Sequence, residues 1–360
     1  MAKTKSDELN QTLSTYLNTI NDTLQLFEHS PPLKQDKLNW NDVLKMSDHL
    51  SRQATIVGML WTGEEPPKAK ALKETMDAYY NALQGFLLLC HGSMVGAGPT
   101  LSSSIQASVK QIVDSSFKLL HGSVSLYGGG SFEKERKPSI PQLTGAVWEA
   151  CSNLKKVPTT NIRAIGRAMT QVTVSVKDVL REMKELKPAS VDDDVCVNDE
   201  SETPNSDEDE DDLGDDLSPE ELEVATLVAD VVSETLMVVK ELIRAFVSMV
   251  KLENPEDNGV FVDAFEKLLK LCQGTGEQID ELGACVYPPQ ELSIMKQILE
   301  RIKGNIGEME VDVKGFMSSS SSEAFLGTCR SLQSLIEHIE TELDTRIEAE
   351  VVSNMQNVTL

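Results

Sequence analysis

The chain has 360 residues and a formal charge of −25, from 33 Lys plus Arg against 58 Asp plus Glu, with 40% hydrophobic and 5% aromatic residues. That length buries a substantial core and suits two or three domains. The charge excludes a general duplex nucleic-acid binder, because phosphates repel a strongly acidic surface, and the scarcity of aromatics argues against a β-rich fold or an aromatic-lined ligand site.

The chain opens Met1-Ala2-Lys3-Thr4-Lys5-Ser6-Asp7, and no apolar run follows, so no secretory leader is expected. Later apolar stretches are interrupted by charge well before about 18 residues, so no membrane span is expected. Leu13, Leu17, Ile20, Leu24 and Phe27 recur at alternating spacings of four and three, as do Val43, Ser47, Leu50, Ala54, Val57 and Trp61. Each set lines one face of a helix. The cleanest stripe is Ile162, Ile165, Met169, Val172, Val176, Val179, Met183 and Leu186. Val172-Thr173-Val174-Ser175-Val176 alternates like a strand, but it lies inside this longer helical pattern, and length decides for helix. Helices are predicted near 5–29, 39–61, 67–91, 101–126, 141–155 and 159–187. Pro31-Pro32, Pro66-Pro67 and Gly128-Gly129-Gly130 separate several of them.

The charge is concentrated just beyond. Between Asp192 and Glu223 stand seventeen acidic residues and no Lys or Arg, which leaves 41 acids against 33 bases elsewhere, a balance of −8. The centre of this run is Asp207, Glu208, Asp209, Glu210, Asp211 and Asp212. Such a run repels itself and has little to bury, so a disordered linker is expected over 189–217. From Glu133 to Lys187 the chain is instead basic, with eleven bases and six acids, among them Arg163, Arg167, Lys177, Arg181 and Lys184. The acidic run is a candidate contact for a basic partner surface, or for this basic segment folded against it. The plain alternative is a solvated linker beside an ordinary mixed-charge helix surface. Ser190 and Ser206 each precede an acid by three residues, and Thr203 precedes Pro204, which fits kinase modification in an accessible linker.

Ser218-Pro219-Glu220-Glu221 reads as a capping box, with serine accepting from the first-turn amides and Glu221 reaching back. The helix it starts is predicted to run to about Leu252. It is apolar over a wide arc, as expected for the central helix of a bundle. Asn254 to Gly259 breaks the chain, and Tyr287-Pro288-Pro289 stops the next helix. A third helix carries Ile294, Ile298, Ile302 and Ile306. A turn is expected at Gly315 and Ser318–Ser322, before a last helix with Leu332, Leu335, Ile336, Ile339, Leu343 and Ile347. The expected fold is all-α: antiparallel helical bundles over 1–188 and 218–360, joined by the acidic linker.

Chemistry is sparse. The five histidines show no metal-ligand spacing, and no H-E-x-x-H is present. Gly96-Ala97-Gly98 and Gly274-Thr275-Gly276 lack the G-K-[ST] ending of a phosphate loop and read as turns. Cys90, Cys151, Cys196, Cys272, Cys285 and Cys329 form no C-x-x-C pair, and reduced core thiols are expected. No catalytic, metal-binding or cofactor-binding residue is nominated.

Ala146-Val147-Trp148-Glu149-Ala150-Cys151, the proline-marked turn and long seam that follow, the acidic middle, and Leu282-Gly283-Ala284-Cys285-Val286-Tyr287-Pro288-Pro289 together resemble the cyclin-D-binding, Grap-and-cyclin-D-interacting protein family. The resemblance is clearest from about 146 to 310. It implies a non-enzymatic regulatory adaptor that binds D-type cyclins or helix-loop-helix factors. Such an adaptor modulates cell-cycle progression and transcription, and moves between cytoplasm and nucleus. Two other readings remain open: a helical-bundle adaptor of the vinculin or talin kind, and a helical protein with a small-molecule or lipid pocket.

Overall fold

The computed structural model describes residues 2–29, 37–63, 65–129, 138–186, 217–253, 259–316 and 319–358. They form ten α-helices: α1 (Ala2–His29), α2 (Trp40–Met59), α3 (Ala69–Ser93), α4 (Pro99–Tyr127), α5 (Ile140–Leu154), α6 (Asn161–Glu185), α7 (Pro219–Glu253), α8 (Gly259–Ala284), α9 (Leu292–Phe316) and α10 (Ser319–Val358). The fold is all-α, as the apolar spacing requires. Two compact units divide the chain, Met1–Ala164 and Ile165–Leu360.

In the first unit α2, α3, α4 and α5 close a four-helix ring, and α1 lies along α3 and α4. The stripe of α2 is buried as expected at Val43, Ser47, Leu50, Ala54 and Val57. It meets a core of Tyr79, Phe86, Met76 and Ile112. Burying a phenol requires a partner for its hydroxyl. Tyr79 donates to Ser116 Oγ at 2.8 Å, and Ser116 in turn donates to the carbonyl of Ile112. Gly96, at φ +74°, turns the chain between α3 and α4. Asn161 clasps that turn, accepting from the Gly98 amide at 2.7 Å and donating to the Gly96 carbonyl at 2.9 Å. This glycine pair is a turn, as read from the sequence.

In the second unit α7, α8, α9 and α10 form the ring, with α7 against α8 and α10, and α9 against α8 and α10. The wide apolar arc of α7 is core: Val228, Val231, Val232, Val238, Val239 and Leu242 are buried, while Met237 and Val247 face outward. The capping box forms as expected. Ser218 Oγ accepts from the Glu221 amide at 3.2 Å, and Glu221 accepts from the Ser218 amide at 2.9 Å. Ser218→Ala is therefore expected to destabilise the second unit by about 1 kcal/mol, measured by urea denaturation followed by circular dichroism.

The two compact units meet at Ala164 and Ile165, within α6, and the stripe of α6 is covered within the second unit: Gly166 lies against Phe246 of α7, and Val172 and Val179 lie against glycines of α8. Two expectations change. Gly274-Thr275-Gly276 is not a turn but a stretch inside α8, where the buried Thr275 donates to the Leu271 carbonyl at 2.9 Å. Of the turn expected at Gly315 and Ser318–Ser322, Gly315 lies in α9 and Ser319 to Ser322 lie in α10. Serines are favoured at helix starts, where the first amides lack helical partners.

Candidate partner-binding site

The glycines of α8 set the geometry of a cleft in the second unit. Gly276 and Gly283 are seven residues apart, and so are Val172 and Val179 of α6. A Cβ on Gly276 would stand 2.9 Å from Val172 Cγ1, and one on Gly283 would stand 2.7 Å from Val179 Cγ1. Both pairs advance in the same chain direction, so α6 and α8 run parallel along a glycine seam. Between the two contacts Ser175 Oγ donates to Asp280 Oδ1 at 3.1 Å. Beside the seam opens a cleft of about 590 Å³. Its apolar lining includes Val174, Val179, Met183, Ala284 and Tyr287, and its charged lining is Asp178, Glu182 and Asp280. Val174 is 46% exposed and Tyr287 36%, so apolar surface here faces solvent.

The five bases singled out on α6, Arg163, Arg167, Lys177, Arg181 and Lys184, are all exposed. At about 100° per residue they fall within an arc of about 100° on one helix face. Asp178 and Glu182 stand between this basic face and α8. Arg181 approaches Asp178 at 3.4 Å. Ser190, Thr203, Ser206 and the acids Asp207, Glu208, Asp209, Glu210, Asp211 and Asp212, with the contact expected of them, lie outside the described residues. The cleft residues went unnoticed in the sequence because each is ordinary by itself. The available signal was the repeated spacing of seven in two glycines and two valines.

A second cleft, of about 710 Å³, lies in the first unit between α1, α4 and α5. Leu17, Val113, Phe117 and Leu143 give it an apolar character, with Asp114, Lys118 and His121 following at spacings of four and three along α4. Trp148 of α5 is half-exposed, and its indole nitrogen donates across to Thr55 Oγ1 of α2 at 3.1 Å. Among the described residues, no group of three or more His, Cys, Asp or Glu is arranged to hold a metal ion, and no helix is long and apolar enough to cross a membrane. The described cysteines are free thiols; Cys90, Cys151, Cys272 and Cys329 are buried and Cys285 is half-buried. Burial pushes the Cys272 thiol up to about 12 and that of Cys90 higher still, which suppresses the thiolate that nucleophilic chemistry requires.

Sequence comparison identifies the architecture. The N-terminal model of the Grap2 and cyclin-D-interacting family matches residues 42–189, and its C-terminal model matches residues 205–311. The chain belongs to the Grap2 and cyclin-D-interacting family. A relative, the cyclin-D1-binding protein 1 homolog of Xenopus laevis, is 21% identical over 267 residues, which covers 72% of this chain and 75% of that protein. The family's N-terminal match runs through α6 to 189, whereas packing assigns α6 from Ile165 onward to the second unit. Both helices that border the α6–α8 cleft lie within the family matches, α6 in the N-terminal one and α8 in the C-terminal one.

Proposed function

We propose that this chain is a regulatory adaptor that acts by binding and not by catalysis, with D-type cyclins and related factors as its partners, and that it modulates cell-cycle progression and transcription in cytoplasm and nucleus. The observation that carries this reading is the match of both parts of the chain to a family described as cyclin-D-interacting, together with a relative named for binding cyclin D1. The helical scaffold suits it, since rigid bundles present helix faces and clefts to protein partners.

The test is retention of purified D-type cyclins by the immobilised full-length chain. Retention above a tag-only control, competed by free chain, is the expected result. No retention of any D-type cyclin would remove this function.

A further inference from the structure

The cleft between α6 and α8 combines two features that define the chemistry of an occupant. Its apolar lining is partly open to solvent, through Tyr287 and through Val174, which stands within the basic arc of α6. Its charged lining is Asp178, Glu182 and Asp280, with no lysine or arginine among the lining residues. Asp280 accepts from Ser175, and Asp178 has Arg181 at 3.4 Å. The side chains of that last pair are 49% and 65% exposed, so the pair contributes little and exchanges readily for a partner's cation.

We propose that this cleft docks a basic amphipathic helix of a protein partner, one whose apolar stripe enters between α6 and α8 and whose flanking Lys or Arg residues meet Asp178 and Glu182. Two parallel helices held close by glycines leave a valley in which a third helix settles as a ridge into a groove. Apolar surface rimmed by polar groups is the signature of such an interface. Charge selects the occupant. Like-charge juxtaposition is costly, so the acidic lining turns away acidic helices and anionic membrane surfaces. This inference rests on the adaptor reading above and names the chemistry of the segment bound.

The probe is a dye-labelled helical peptide of Leu/Lys heptads, titrated with the full-length chain and read by fluorescence anisotropy. A strongly acidic protein attracts any cationic peptide, so the controls are matched in charge. Glu182→Lys is expected to weaken binding about tenfold, and Tyr287→Ala about fivefold. Glu149→Lys makes the same change of charge at an exposed position of α5 in the first unit, and is expected to stay within about twofold of the parent. Circular dichroism melts of each variant show that it is folded, and Glu182→Lys decides the outcome if Tyr287→Ala is not. Equal losses in Glu182→Lys and Glu149→Lys would overturn the proposal, as would equal affinity for a Leu/Glu peptide. Failure of cyclin retention with peptide binding intact removes the cyclin reading alone; loss of site-specific peptide binding with cyclin retention intact removes the cleft alone.

Discussion

Phe265→Ala is expected to destabilise the second unit by about 3–5 kcal/mol, measured as a shift in its urea transition at unchanged slope. Phe265 is fully buried on α8. Its ring meets Phe246 of α7 edge to face, with centroids 4.8 Å apart and planes at 73°. The Phe261 ring lies 6.3 Å away, tilted by 32°. Truncation removes the transfer free energy of a whole aromatic side chain and leaves a cavity that rigid helices close only in part. Edge-to-face pairing adds to the loss. Domains of this size are stable by about 5–15 kcal/mol in total, so the variant loses a large share of its margin. Phe246 also covers Gly166 of α6, so the loss reaches the helix that borders the cleft. A shift below about 1 kcal/mol would show that this ring does not fill the core as described.

The second large effect concerns the glycine seam. Gly283→Leu is expected to cost about 1–3 kcal/mol through overpacking, whereas Gly283→Ala is expected to lie near neutral. Two opposing effects set this contrast. Alanine gains up to about 1 kcal/mol of helix propensity over glycine, and less at Gly283, which stands in the last turn of α8. Its Cβ, however, would stand 2.7 Å from Val179 Cγ1, and a β-branched side chain has few rotamers in a helix through which to yield. The gain and the clash are comparable for one methyl; for leucine the clash dominates, and α6 must move off α8. Differential hydrogen exchange on α6 measures the consequence. Faster exchange across residues 169–183 in Gly283→Leu, with the first unit unaffected, is the expected pattern. Unchanged exchange on α6 would rule out a close α6–α8 seam.

The same seam separates what the sequence determines from what the fold decides. The stripe Ile162 to Leu186 specifies a helix and specifies which of its faces is buried, because a period of 3.6 residues leaves one face apolar. The capping box at Ser218 specifies where α7 begins, because two side chains satisfy two orphan amides within a single turn. These are local properties, and both appear in the structure as read. The acidic run from Asp192 to Glu223 is equally plain in composition, and it shows that the charge of −25 is mostly one segment's property.

What covers the stripe of α6 is not local. Its apolar face would be satisfied by either bundle, and proximity in sequence favoured the first. Close approach favoured the second, because Gly276 and Gly283 lower the surface of α8 where Val172 and Val179 rise from α6. Read along the chain, Gly274-Thr275-Gly276 looks like a break, since glycine weakens a helix by about 1 kcal/mol. In the fold the missing side chain is the feature that admits the neighbouring helix. The cleft follows from that choice: Asp178, Glu182, Asp280 and Tyr287 come from segments about a hundred residues apart, and only the packing of α6 onto α8 makes them one surface. Periodicity and capping, acting within a few residues, determined the helices and their buried faces. The tertiary structure decided their partners, because complementarity between two surfaces is a property of neither sequence segment alone.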